Sequence, residues 1–127
     1  MIRPEERGSH FRLDASRSLW QHRRMKITPA DCRLYGIVDM GYVRPEDLEK
    51  ATTALLDGGV RILQLRAKGV ELDAVRGLAQ RMQPLCRRAG AIFVLHDYPE
   101  LAAALGAGSL HVGQDAGPLA EVRRLVG

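Results

Sequence analysis

The amino-acid sequence predicts an α/β protein in which about four successive strand–helix units form a parallel sheet with covering helices. After Cys32, short apolar runs alternate with segments of helical periodicity, as they do in such units. Prolines stand near the expected starts of three of the helices, and glycines follow the expected ends of two. A chain of 127 residues with 46% hydrophobic side chains is long enough for one ordinary domain with a core.

The first two units are predicted in the segment that follows Cys32. The first strand covers Leu34 to Val38, and its helix starts at Pro45 and stops before the paired glycines at 58 and 59. The second strand covers Val60 to Leu65, and Pro84 is expected to kink or split the helix after it. The apolar positions that should face the sheet are Leu48, Ala51, Leu55 and Leu56 in the first helix and Leu72, Val75, Ala79, Met82 and Cys86 in the second.

Two shorter units follow. The third has a strand over Ala91 to Leu95 and a helix that Pro99 opens and Gly106 closes. The fourth has a short strand over Ser109 to Val112 and a helix over Pro118 to Val126. The apolar positions predicted to face inward are Leu101, Ala102 and Leu105 in the third unit and Leu119, Val122 and Val126 in the fourth.

The positive charge of the chain lies in its first part. Residues 1–33 carry eight Arg or Lys against four Asp or Glu, whereas residues 34–127 carry eleven of each. The whole net charge of +4 therefore lies in residues 1–33. We therefore expect residues 1–33 to be a flexible basic tail or leader that the body does not need for folding, and Met25 could be the true start. The alternative is a short basic amphipathic helix for an anionic surface, with its apolar side formed by Phe11, Ala15, Leu19 and Trp20.

Composition excludes several classes of protein. Only Cys32 and Cys86 are present, which argues against a disulfide scaffold or a zinc site, and Cys86 is expected in the core as a reduced thiol. No apolar run approaches the length of a membrane-spanning helix. The electrically neutral body has no general attraction for polyanions, so we expect a cytoplasmic protein that binds neither nucleic acid nor membrane.

Polar side chains gather where the predicted strands end. In parallel α/β sheets, reactive groups lie beyond the carboxyl ends of the strands, because the loops there share one edge. With a period of two, Gln64, Arg66 and Lys68 project to the same side of the second strand. An amide with two cations suits a diphosphate, since arginine offers a planar fork and lysine a compact charge. The alternative is a solvated, charged strand end.

The third and fourth strands also end in polar residues. Asp97 can take Mg²⁺, and His96 can hydrogen-bond a substrate or transfer protons. The alternative is that Asp97 caps the following helix. His111 shares a face with Gly113 by strand parity, and a buried, hydrogen-bonded histidine is the favoured interpretation over a catalytic one.

Together these motifs resemble the thiamine phosphate synthase family over most of residues 34–127. Several short motifs in register are more specific than any one alone. The matching segments, in family order, are Leu34-Tyr35-Gly36-Ile37-Val38-Asp39, Gly58-Gly59, Gln64-Leu65-Arg66-Ala67-Lys68, the Asp97 segment and His111-Val112-Gly113-Gln114-Asp115.

The resemblance implies part of a TIM (β/α)8 barrel and a transferase of thiamine biosynthesis. Such enzymes join hydroxymethylpyrimidine pyrophosphate to thiazole phosphate, with Mg²⁺ on the diphosphate, and they release pyrophosphate and thiamine phosphate. By resemblance, Gln64, Arg66 and Lys68 hold the pyrimidine diphosphate and Asp97 binds the metal; His96, from its own chemistry beside Asp97, is predicted to contact the substrate. No protein nucleophile is implied, so no residue is assigned as catalytic.

The chain departs from the family pattern in three respects. His96 stands where the family has an asparagine, and Ala116 stands where a second metal carboxylate follows. A (β/α)8 barrel takes about 200 residues or more, and residues 34–127 supply about half of that. We therefore expect a truncated N-terminal half barrel that is inactive on its own and that can form a homo-oligomer through unpaired strand edges. The alternatives are a thiazole tautomerase-like enzyme and a non-catalytic phosphate-binding or regulatory remnant.

Overall fold

The computed structural model describes residues 28–115 and 117–127. The flexible tail and the alternative amphipathic helix, both expected within residues 1–33, therefore fall almost wholly outside the described residues. From this segment the structure shows only a short 3-10 turn, Asp31–Arg33, before the first strand.

The sheet has four parallel strands in the order β1-β2-β3-β4. Tyr35 pairs with Ile62 and Val94 with Ser109, which fixes the register across the sheet. Among the described strands, β1 and β4 each have a single neighbour. The four strands are β1 Tyr35–Asp39, β2 Ile62–Arg66, β3 Ile92–His96 and β4 Ser109–His111. These bounds confirm the four predicted strands to within about two residues.

One helix follows each strand, as predicted. A 3-10 turn, Pro45–Asp47, precedes α1, and Gly106 ends α3 with φ 59°, a left-handed conformation that glycine adopts without strain. The second helix runs through Pro84 without a break, so the expected split does not occur. The helices are α1 Leu48–Asp57, α2 Leu72–Arg88, α3 Pro99–Leu105 and α4 Leu119–Val126.

The helices cover one face of the sheet, here called the helix-covered face. Its strand residues are apolar and almost fully buried against the helices, and they are Val38, Leu63, Leu65, Phe93 and Leu95. Gly36 lies closely against this face, because a Cβ there would lie 2.7 Å from Leu63 Cδ1 and 3.0 Å from Val60 Cγ1, so a larger residue would require these buried side chains to shift. Arg81 of α2 joins α1 by donating to both carboxylate oxygens of Glu49, each at 2.6 Å.

The buried helix residues agree with most of the predicted apolar stripes. Cys86 is fully buried as a free thiol, and burial raises its pKa to about 11. Three predictions were wrong, since Leu72 is 47%, Leu119 69% and Val126 38% exposed. These residues lie in the first turn of α2 and at the two ends of α4.

The other side of the sheet, here called the open face, carries the alternate residues of each strand. At β1 it is exposed, with Tyr35 49% and Ile37 51% accessible. At the middle strands a separate small cluster is buried, formed by Ile62, Ile92 and Val94. The charged and imidazole side chains of the open face, Asp39, Arg66, His96 and His111, are the last residues of their strands, which places the candidate site at the carboxyl ends.

Within the described part of the chain, no helix is long and apolar enough to cross a membrane.

Candidate functional site

Arg66 and Asp39 form an ion pair at the carboxyl ends of β2 and β1. Arg66 Nη1 donates to Asp39 Oδ2 at 2.5 Å, and their side chains are 36% and 19% exposed. The Gly41 N–H donates to Asp39 Oδ1 at 2.8 Å. This N–H, and then the Arg66 guanidinium, hold the pKa of Asp39 below its ordinary value. A single nitrogen of Arg66 is paired among the described residues, so the rest of its fork is available at the open face.

Gln64 lies two residues before Arg66 on the same face of β2, and its side chain is almost fully buried, at 1% exposed. Its Oε1 accepts a hydrogen bond from the Tyr35 hydroxyl at 2.7 Å and lies 2.9 Å from His111 Nδ1. Partial burial raises the pKa of Tyr35. The amide of Gln64 therefore connects β1, β2 and β4 across the open face.

Lys68 lies two residues beyond the end of β2 and is exposed. No hydrogen bond or ion pair of Lys68 occurs within residues 28–115 and 117–127. Gln64 and Arg66 share the open face, as strand parity predicted, whereas Lys68 stands in the loop that follows.

Asp97 and Tyr98 follow β3 in a strained backbone conformation. Both have a positive φ, 61° and 57°, which is uncommon for residues with side chains. Asp97 Oδ1 accepts the Gly113 N–H at 2.9 Å, while the Tyr98 hydroxyl donates toward the carbonyls of Ala67 and Val70. This geometry turns Asp97 away from the helix and toward the loop after β4.

The interpretation of Asp97 as the cap of the next helix was therefore wrong. The N-cap position of α3 is Tyr98, and no side chain caps the helix. Instead, Asp97 Oδ2 lies 3.3 Å from His96 Nδ1, and the Asp97 side chain is 38% exposed.

His111 is hydrogen-bonded but not buried. Its ring lies 5.0 Å from the ring of His96 in an edge-to-face arrangement, and its Nδ1 contacts Gln64. The prediction of a hydrogen bond is confirmed, and the prediction of burial was wrong, because His111, the last residue of β4, is exposed. Five polar groups thus converge at this end of the sheet: Asp39, Gln64, Arg66, His96 and His111, with Asp97 next to them.

The described residues offer a metal ion one well-placed carboxylate. No group of three or more His, Cys, Asp or Glu side chains within residues 28–115 and 117–127 is arranged to hold a metal. Ala116 lies outside the described residues. Magnesium binds proteins through one or two carboxylates and takes its other ligands from phosphates and water. Asp97 fits that pattern as a single ligand whose Oδ2 is not held by a backbone N–H.

Sequence analysis assigned no role to Tyr35 or Asp39, which the structure brings into the site. Tyr35 reaches Gln64, and Asp39 reaches Arg66. Strand parity could have indicated both residues. Tyr35 and Asp39 alternate with the small Gly36 and the apolar Val38, so they belong on the open face. Their specific partners depend on the register of β1 against β2, which periodicity does not give.

Polar groups at the carboxyl ends of parallel strands, with helices on the opposite face, are the arrangement of α/β proteins of the barrel or doubly wound kind, in which ligands bind at that edge of the sheet. A sequence model of the family described as thiamine monophosphate synthase matches residues 34–127. The chain belongs to this family.

Curated relatives support the assignment. The chain is 46% identical over 82 residues to the thiamine-phosphate synthase of Laribacter hongkongensis, which covers 61% of the chain and 37% of the relative. It is 39% identical over 103 residues to the thiamine-phosphate synthase of Acidothermus cellulolyticus, which covers 81% of the chain and 48% of the relative. The chain thus spans less than half the length of these relatives.

A solved structure supports the fold. The chain matches the thiamine phosphate pyrophosphorylase from Pyrococcus furiosus with a TM-score of 0.65 and 23% identity. The match covers 76% of this chain and 46% of the other. The predicted α/β class and its parallel sheet with alternating helices are therefore confirmed.

Proposed function

We propose that residues 34–127 form the pyrimidine diphosphate-binding part of a thiamine phosphate synthase site on the first half of a (β/α)8 barrel. The observation that carries this proposal is the position of Arg66. Asp39 holds one of its nitrogens, and the remaining donors stand at the carboxyl end of the open face. A guanidinium held in this way can bind phosphate oxygens with little further loss of side-chain freedom.

The neighbouring groups complete a diphosphate site. Lys68, exposed in the loop after β2, adds a second positive charge. The amide nitrogen of Gln64 has no partner among residues 28–115 and 117–127, so it can donate to the pyrimidine end of the substrate. His96, partly buried at the end of β3, lies on the same face and can contact the substrate.

Asp97 is the residue that would hold Mg²⁺, together with oxygens of the substrate diphosphate. When bound, the ion would neutralise charge on the diphosphate. The hydrogen bond from the Gly113 N–H orients the Asp97 carboxylate through Oδ1, and Oδ2 lies beside His96 Nδ1, at 3.3 Å, on the side of the site.

In the proposed reaction, the bond between the pyrimidine methylene carbon and the diphosphate oxygen breaks, and the diphosphate leaves with the electron pair. The thiazole nitrogen then bonds to the methylene carbon. The contribution of this chain is to stabilise the departing charge with Arg66 and Lys68, since fixed cations act most strongly where charge develops. No side chain needs to form a covalent intermediate.

The proposal is tested by calorimetric titration of the 127-residue chain with hydroxymethylpyrimidine pyrophosphate and Mg²⁺. Replacing Arg66→Ala should weaken binding by about tenfold or more, as expected when a charge-assisted hydrogen bond is lost. The matched control is Arg61→Ala. Arg61 precedes β2 at the opposite end of the sheet and donates to the carbonyls of Leu56 and Val60.

The Arg61 variant should bind as the unmodified chain does. Equal losses in the two variants would mean that general positive charge attracts the ligand. A complete lack of binding by the unmodified chain would contradict the proposal.

A further inference from the structure

The contacts of Gln64 constrain which ring nitrogen of His111 can carry a proton. Gln64 Oε1 lies 2.7 Å from the Tyr35 hydroxyl and 2.9 Å from His111 Nδ1. A carbonyl oxygen can only accept hydrogen bonds, so both neighbours must donate to it. A neutral imidazole that donates from Nδ1 has its lone pair on Nε2.

We infer that Gln64 is a positioning residue that holds neutral His111 in the Nδ1–H tautomer, so that His111 Nε2 accepts a hydrogen bond from a ligand at the open face. A free histidine favours the other tautomer, with the proton on Nε2. The Nδ1–H form is therefore a distinct signature of the contact with Gln64.

The surroundings of Gln64 make the contact strong enough to select a tautomer. Gln64 is 1% exposed, so little water reaches its oxygen to compete. The Tyr35 hydroxyl occupies the second acceptor position of Oε1 and resists rotation of the amide. Burial and the Tyr35 hydrogen bond from β1 thus hold the Gln64 side chain in place, and His111 of β4 contacts the same oxygen.

The Nε2 atom of His111 is available to a ligand. No hydrogen bond to it occurs within residues 28–115 and 117–127, and the His111 side chain is exposed. The neighbouring ring is His96, with its centroid 5.0 Å away. Beside His111, the amide nitrogen of Gln64 is a donor. Together they offer one acceptor and one donor, which suits a ligand group such as an aromatic amine next to a ring nitrogen.

The tautomer is measured by nitrogen-15 nuclear magnetic resonance of the histidine-labelled 127-residue chain, at an alkaline pH where imidazoles are neutral. A His111→Gln variant assigns the signals. We expect the Nδ1 of His111 to have the shift of a protonated nitrogen and Nε2 that of an unprotonated one. The opposite pattern in the unmodified chain would overturn the inference, because it would require the Gln64 amide to be reversed.

Two variants test the role of Gln64 itself. Gln64→Met keeps the length of the side chain and removes the acceptor, so His111 should shift to the Nε2–H form. Gln64→Glu keeps an acceptor at the same place, and the Nδ1–H form should remain. An unchanged tautomer in Gln64→Met would also overturn the inference.

The acceptor role of Nε2 rests on the proposed function and is tested separately. Hydroxymethylpyrimidine pyrophosphate with Mg²⁺ should move the Nε2 signal of His111, whereas Mg²⁺ with inorganic pyrophosphate, which lacks the pyrimidine amine, should not. Calorimetry of the same samples separates the outcomes. A ligand that binds without moving Nε2 contradicts this inference alone, and a ligand that does not bind contradicts the proposed function while the tautomer stands.

Discussion

The two faces of the sheet are built from alternate residues of the same strands, but one face is packed against helices and the other carries polar side chains. The helix-covered face carries only apolar or small residues, of which Leu63 and Leu65 are fully buried. The open face carries Asp39, Gln64, Arg66, His96 and His111 toward one end of the sheet. In β2, for example, Leu65 packs against the helices while the adjacent Arg66 makes polar contacts on the open face.

The contrast shows how one short segment can support both stability and binding. On the helix-covered face, removal of apolar area from water supplies the stabilising free energy. On the open face, polar groups are kept together by bonds to one another, as in the Asp39–Arg66 pair. Substitutions at adjacent positions should thus have effects of different kinds.

The largest expected effect is on stability at the helix-covered face. Leu65→Ala removes a fully buried side chain and leaves a cavity, so the free energy of unfolding should fall by about 3 kcal/mol. The neighbouring Arg66→Ala should cost about 1 kcal/mol or less, because its ion pair is partly exposed. Denaturant unfolding of both variants measures the difference. Similar losses would contradict the division of the two faces.

The next effect concerns Mg²⁺. Asp97→Asn keeps a side chain that tolerates a positive φ and that can accept the Gly113 N–H, but it removes the charge. We expect the enhancement of diphosphate affinity by Mg²⁺ to fall by about tenfold, or about 1.4 kcal/mol, in calorimetric titrations. The control is Asp57→Asn, since Asp57 is exposed at the end of α1. An unchanged Mg²⁺ dependence in Asp97→Asn would place the metal elsewhere.

The last prediction concerns stability on the helix-covered face, where removing a hydroxyl should have a small effect. The Thr52 hydroxyl is buried in α1 and is the only buried side-chain polar atom without a hydrogen bond in the part of the chain that the structure describes. Thr52→Val replaces it with a methyl group of similar size and should raise the free energy of unfolding by about 1 kcal/mol. The exposed Thr53→Val is the matched control and should change little. A loss of stability in Thr52→Val would mean that the hydroxyl makes a bond in solution.

Sequence periodicity predicted the elements well because apolar spacing and turn residues are local signals. Pro99 and Gly106 bound α3 as expected, and strand parity placed Gln64 and Arg66 on one face. The helix does not split at Pro84, because a proline on the exposed side of a helix removes one hydrogen bond without forcing a break when the remaining turns pack on the sheet.

The site was harder to predict because its contacts join distant strands. The bond between Gln64 and His111 spans 47 residues, and the ion pair between Asp39 and Arg66 spans 27. Asp97 contacts Gly113 rather than its own helix because its positive φ redirects the side chain, and the sequence contains no glycine there to signal such a turn. Register and backbone strain are tertiary properties that a spacing pattern does not contain.

We expect the ligand to bind at the carboxyl end of the open face, and backbone amide chemical shifts report where it binds. The nitrogen-15-labelled 127-residue chain is titrated with magnesium pyrophosphate while every resolved backbone amide is followed. We expect the largest shifts at residues 64–68, 96–98 and 112–115. Shifts centred on the opposite end of the sheet, at Arg61, Ala91 and Gly108, or no shifts at saturating ligand, would contradict this expectation.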